Sequence, residues 1–330
     1  MNAPVIPVPA REAEASPTGP GPADMAPGEW AARVELAAAY RIFHFLGWTE
    51  LIYNHISLRV PGPDHHFLIN PFGLHYSEVK ASNLVKIDLD GNIIGHSAWP
   101  INPAGFTPHA TIHGHIPHAR CVMHTHTTAG SAVASLEAGL SPSNFYSAQL
   151  HGKLAYHDFE GITLHAKEGP RLLRSIGDKP AVILRNHGLL AWGDGVPRAF
   201  AILWLLQRAC EIQVATMAMG KPRAIPVDVQ RRCTVDSLQF NPKFGAGQDA
   251  FNALVRIVDR IDPGYRGCPD DPHAAPLRRA HVIVALHFSS WPARLHPPQN
   301  PSSATRRCGI PGFAGSTSPR SWWRWATRCR

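Results

Sequence analysis

The stretch 121-CVMHTHTTAGSAVASL-136 constrains this chain most. A short apolar run, read as a buried strand, ends in two histidines one residue apart and passes at once into a small-residue helix pattern. Side chains at i and i+2 of a strand share a face, so His124 and His126 could aim both imidazoles at one point. A divalent ion accepts nitrogen donors at about 2.0–2.1 Å, and a strand end is one way to deliver two of them. With 20 histidines in the chain, an HxH pair is also met as a structural or surface pair. A third ligand has to come from elsewhere, and 185-RNHGLL-190 offers His187. It follows the strand-like 181-AVILR-185 and precedes Gly188, which frees the backbone beside it.

The remaining periodicities build a mixed domain around these two motifs. Apolar spacing predicts a helix from Glu29 to Leu46, stopped by Gly47. Short strands are read at 55–60, 65–70 and 84–89, the last turning through Asp90-Gly91 into 92–95 as a hairpin. Residues 108–119 read as a helix with Pro108 in its first turn. A helix is read at 128–136, a looser stretch at 153–161, and a second strand at 189–193 after the one at 181–185. Residues 197–220 are apolar nearly all round, which predicts an interior or interface helix. A last helix spans 248–261. Helices interleaved with short strands place the chain in the α/β or α+β class.

Composition limits the function classes. No apolar run reaches the roughly 18–20 residues of a membrane span, and the Pro/Ala/Gly-rich residues 1–27 read as a disordered segment rather than a signal peptide. Six cysteines without CxxC spacing fit free thiols in a reducing cytoplasm. The net charge of +8 invites a nucleic-acid reading until it is located. Residues 266–330 hold ten Arg, no Lys and two Asp, so they carry the whole +8 and residues 1–265 balance to zero. Nucleic-acid binding would therefore rest on this tail alone. The tail is rich in Arg, Pro and Trp without a sustained period, and only 281–288 reads as a strand. It is either a disordered extension or, the favoured reading, a segment translated out of frame from GC-rich DNA.

Strand–HTH–small helix followed by strand–NHGLL resembles the class II aldolase/adducin domain. The pieces 52-IYNHISLRV-60, 69-INPFGLHYSEV-79, 101-INPAGFTPH-109 and 153-KLAYHDFEG-161 add to the likeness, which covers about residues 28–265. The resemblance implies a three-layer α/β/α domain with a central, mostly antiparallel sheet. It also implies homo-oligomers, often tetramers, with active sites near subunit interfaces. In the aldolases three histidines hold a divalent metal, usually zinc, and they fall on His124, His126 and His187; iron and manganese are the alternatives.

The chain departs from the sugar-phosphate aldolases where they bind phosphate and move protons. Their acid/base Glu falls on Gly105, and the two preceding positions, Ser in phosphate-binding members, fall on Pro103 and Ala104. The phosphate-gripping Thr-Gly falls on Phe72 and Gly73, and the Asn of another phosphate loop falls on His55, preceded by Asn54. Without these hydroxyls and that carboxylate, the expected substrate is a small, non-phosphorylated hydroxy- or keto-acid or carbonyl compound. Asn54, His55, Phe72, Gly73 and Gly105 are the candidate substrate contacts, with His55 and Gly73 near its anionic end. Tyr146 and His109 are the candidate catalytic groups; Tyr156 is a further candidate acid. His109 and His113 share one helix face and could line the pocket or support the metal ligands. The expected activity is metal-dependent aldol cleavage or decarboxylation through a metal-stabilised enolate. An iron-dependent oxygenase at the same three histidines and a non-catalytic, adducin-like interaction module are the alternatives.

Overall fold

A computed structural model describes residue 22, residues 25–162 and residues 166–267. The sequence expectations for residues 1–21 and for 268–330, including the strand at 281–288, lie outside the described residues. Seven strands form one sheet: β1 (His55–Arg59), β2 (Phe67–Ile69), β3 (Val85–Ile87), β4 (Cys121–Thr125), β5 (Leu154–His157), β6 (Ala181–Leu184) and β7 (Gly188–Gly193). Their spatial order is β3-β2-β1-β4-β7-β6-β5. Every neighbouring pair is antiparallel except β5 and β6. The eight helices among the described residues are α1 (Pro27–Leu46), α2 (Pro103–His115), α3 (Thr128–Ala134), α4 (Phe145–Gln149), α5 (Gly169–Ile176), α6 (Val196–Met219), α7 (Val227–Asp236) and α8 (Gln248–Ile261).

Strand alternation sorts the sheet's side chains between two helical layers. Ile56, Leu58, Cys121, Met123, Ile183, Leu189 and Ala191 join a core built with α1, α3, α6 and α8. Val122, Val182, Leu184, Leu190 and Trp192 turn the other way, onto Ile112 of α2 and Leu172 and Ile176 of α5. The result is a three-layer α/β/α domain with a mostly antiparallel sheet. His55, Ser57 and His124 have the parity of Val122, so they lie on the α2 side of the sheet.

Several elements begin where their end signals lie. The N–H of Gly47, which adopts φ 75°, bonds the carbonyls of Phe43 and His44 and closes α1. The side chain of Asn102 accepts from the Ala104 N–H, with Pro103 in the first turn, so α2 starts five residues before the expected position. Pro108 then stands inside the helix rather than in its first turn. Cap and first-turn proline together fix the start, and packing of Ile112, His109 and His113 against the sheet holds the interior proline. The Asp90-Gly91 turn closes with a single bridge, Ile87 to Ile93, rather than a full hairpin. The looser stretch at 153–161 contains β5, whose short half-buried alternation is that of an edge strand.

Candidate metal centre

His124 and His126 leave the end of β4, and His187 sits in the turn between β6 and β7. The two motifs are brought together by the β4–β7 ladder, in which His124 faces Leu190 and Thr125 faces Leu189. Asn186 takes the left-handed conformation, φ 55°, that reverses the chain. Gly188 is required by close approach: a Cβ there would stand 2.3 Å from the Thr125 carbonyl oxygen. Ser131 Oγ of α3 donates to the His187 carbonyl at 3.0 Å. Asn54 ties in the third side, since its Oδ1 accepts from the His126 N–H at 2.8 Å while its Nδ2 donates to the Trp48 carbonyl at 2.9 Å.

Three ring nitrogens converge. Nε2 of His124 lies 2.7 Å from Nε2 of His126 and 3.3 Å from Nε2 of His187, and the last two are 2.9 Å apart. His124 Nδ1 donates to the Leu189 carbonyl at 2.8 Å, which leaves its Nε2 as a lone pair. Burial, then the neighbouring imidazoles, hold the His124 ring well below the usual histidine range. Burial and His187 bring His126 down to about 4, and burial lowers His187. All three rings are thus neutral near pH 7.

Protons cannot satisfy this arrangement. Three mutual contacts form an odd cycle, so any assignment of donors and acceptors sets two like groups against each other on at least one side. A cation accepts all three lone pairs at once. Ligand nitrogens around a tetrahedral ion at about 2.0–2.1 Å are spaced by about 3.3 Å, close to the separations seen. Among the described residues, these three form the group of His, Cys, Asp or Glu side chains suited to hold an ion.

A second histidine set lies behind the first. His55 is opposite His124 in the β1–β4 ladder and its ring packs on that of His124, centroids 4.8 Å apart. His55 Nδ1 is 2.7 Å from Nε2 of His109, Ser57 Oγ bridges His109 Nδ1 and His113 Nε2, and His113 Nδ1 reaches the Ala119 carbonyl at 3.0 Å. His109 and His113 are sealed in the interior and reach the three converging rings only through His55. Gly105 abuts this set: a Cβ on it would lie 2.6 Å from His55 Cδ2 and 2.9 Å from Nε2.

The other candidates are spread more widely. Phe72 is half-buried, held by its N–H to the Pro100 carbonyl, and Gly73 turns the chain at φ 107° under the ring of Trp99. Tyr146 packs its ring on Trp204 of α6, with neither a hydrogen bond nor a ring contact to the three imidazoles. The Tyr156 hydroxyl oxygen accepts from the Leu140 N–H at 3.0 Å, which ties it to the loop after α3. Sequence reasoning missed Ser57, Phe159 and Arg185. Phe159 sets its ring 6.2 Å from that of His187, and with Arg185 and Glu168 it lines a small cleft beside His187. Ser57 was legible as the i+2 neighbour of His55 on the same strand face. A larger cavity of about 480 Å³ opens at the opposite end of β1 and β4, between Arg59 and Arg120, away from the histidines.

A three-layer α/β/α domain with imidazoles from a strand end and a later turn converging on one point defines an α/β class built around a three-histidine cluster. Residues 34–214 match the family model described as "Class II Aldolase and Adducin N-terminal domain", and the chain belongs to that family. It is similar to an aldolase II superfamily protein of Pseudomonas syringae, with 42% identity and a TM-score of 0.70 over 74% of this chain and 98% of that one. It is 41% identical to alpha-adducin of Rattus norvegicus over 72% of this chain, although it spans only 34% of the adducin. The L-fuculose 1-phosphate aldolase of Glaciozyma antarctica shares 26% identity with a TM-score of 0.64, over 76% of this chain and 97% of that one. Membership supports a lyase-type or adducin-like role.

Proposed function

We propose that His124, His126 and His187 hold a divalent cation, zinc in the first place, and that the protein is a metal-dependent lyase. The observation that carries this reading is the convergence of three neutral Nε2 atoms within 3.3 Å of one another. A cation bound there supplies Lewis acidity to a substrate carbonyl. The chain's own residues do the rest: the Leu189 carbonyl orients the His124 ring, Ser131 holds the backbone at His187, and Asn54 fixes the backbone at His126. Pro103, Ala104 and Phe72 offer no hydroxyl to a phosphate, which favours a small non-phosphorylated hydroxy- or keto-acid or carbonyl substrate. Residues 28–265 form the working domain of this reading, and the 266–330 tail lies outside it. Exposed Phe145, Phe159 and Ile162 support a homo-oligomer, taken as a tetramer. No helix among the described residues is long and apolar enough to cross a membrane; with free Cys121, Cys210 and Cys233, this favours a cytoplasmic setting.

Elemental analysis of untagged protein tests the reading. About one divalent ion per chain is expected, lost in His124→Ala, together with carbonyl or CO2 release from a panel of hydroxy- and keto-acids. Iron with substrate-dependent oxygen consumption would point instead to oxygenase chemistry. A second reading, a non-catalytic adducin-like module, is favoured by Gly105, which puts no carboxylate beside the site. A wild-type chain that binds no divalent cation would decide for that module.

A further inference from the structure

The cavity at the other end of the sheet holds charges that the fold leaves unmatched. It measures about 480 Å³ and opens where β1 ends and β4 begins, walled by α1 and α8. That volume lies within the roughly 300–1,000 Å³ of small-molecule sites. Ala38, Leu58, Phe251 and Val255 give it apolar walls, and all four are buried. None of the three converging histidines lines it.

Glu35 of α1 lines this cavity without a partner. Neighbouring carboxylates are matched: Glu29 pairs with Arg33 and Lys86, Asp259 with Arg266, and Asp194 faces Arg198 at 3.8 Å. Glu35 has neither an ion pair nor a hydrogen bond among the described residues. Burial raises its carboxyl, against the opposing pull of Arg120. Arg120 also lines the cavity, and its side chain likewise has no partner among the described residues. Arg59 stands beside it: its backbone N–H bonds the Arg120 carbonyl at 2.8 Å, and its Nε is buried without a hydrogen bond.

A desolvated, unpartnered carboxyl is costly, and so is a cation with a like charge as its neighbour. A purely cationic ligand would relieve Glu35 but meet the arginines. A purely anionic one would suit the arginines but meet Glu35. A molecule with both charges on adjacent groups relieves each side, and the apolar walls take the remainder.

We propose that this cavity binds a free amino acid with an apolar side chain, its ammonium group on Glu35, its carboxylate on Arg120 and its side chain against Leu58, Phe251 and Val255. The site is separate from the three-histidine centre and needs no cation there.

Calorimetry of the full-length protein tests this with probes of one carbon skeleton. They are L-leucine, 3-methylbutylamine, which lacks the carboxylate, and 4-methylpentanoate, which lacks the ammonium group. Leucine is expected to bind at about one per chain, with either half-probe weaker by about tenfold or more, as for one lost charge-assisted contact. Glu35→Gln should weaken leucine about tenfold and leave 4-methylpentanoate no weaker. Arg120→Met should weaken leucine to a similar extent and leave 3-methylbutylamine no weaker. No leucine binding to the wild type, equal affinity for leucine and 4-methylpentanoate, or unchanged leucine affinity in Glu35→Gln would overturn the proposal. So would loss of leucine binding in a folded His124→Ala variant, which would put the ligand at the histidines instead.

Discussion

The ring of His55 fills the volume into which a side chain at position 105 would project, since a Cβ on Gly105 would come within 2.6 Å of its Cδ2. The two positions are therefore coupled. Helix propensity alone favours Ala over Gly at an interior helical site by about 1 kcal/mol, whereas overpacking costs about 1–3 kcal/mol. Gly105→Ala should lower stability in the wild-type background and raise it in His55→Ala. Urea unfolding of the four-member cycle measures the sign reversal; the same sign in both backgrounds would show that the contact is slack.

Asn54 is a scaffold residue for the site. Both ends of its amide are occupied, by the His126 N–H and the Trp48 carbonyl. Asn54→Ala leaves a buried donor and a buried acceptor unpaired, a loss of about 2–3 kcal/mol, and should weaken zinc binding roughly 10- to 100-fold. Competition with a chelator reads the second effect. Zinc affinity at the wild-type level in a destabilised Asn54→Ala protein would separate Asn54 from the metal centre.

Acid should unfold the metal-free chain early. His55, His109, His113 and His124 are all buried with lowered folded-state values, principally through desolvation. Below about pH 6.5 the unfolded chain binds protons that the folded chain refuses, so stability falls as pH falls. The slope is about 1.4 kcal/mol per pH unit for each group fully in that window. For His113 the window runs from about 6.5 down to about 3. The urea midpoint should be level from pH 7 to 8.5 with respect to these groups and drop steeply from 6.5 to 5. A level profile through pH 5 would contradict the buried, neutral assignment.

Tyr265 is part of the folded core. That ring is fully buried, its backbone carbonyl accepts from the Ala81 N–H at 2.8 Å, and Asp259 accepts from both its hydroxyl and Arg266. Truncation after Gly267 should leave the melting temperature and zinc content unchanged, while truncation after Ile261 should cost about 3 kcal/mol, as for loss of a large buried ring. Equal melting temperatures for the two truncations would remove Tyr265 from the core.

Much of this architecture was legible because the long elements carry strong periodicity. The stop at Gly47 and the span of α8 stand where spacing placed them. The strands ending at His124 and before His187 were bounded by their own motifs, and the structure does bring those three imidazoles together. Pro108 misled because a proline usually marks a first turn, while the real start signal, Asn102 as cap followed by Pro103, is local and was passed over. β5 escaped notice because four residues of edge strand carry too little alternation to stand out. His109 and His113, sharing one helix face, read as lining the pocket or supporting the metal ligands. Only the packing of α2 on β1 reveals that Ser57 lies between them, and no local pattern encodes that meeting.

Gly188 and Thr125 touch backbone to backbone, and this contact has a consequence for assembly. The separation of the two histidine motifs is set by main-chain packing and the β4–β7 ladder. If a cation binds there as proposed, the polypeptide that presents its ligands is already held by contacts of its own. Supply of metal would then govern when the centre works, while folding proceeds on its own schedule.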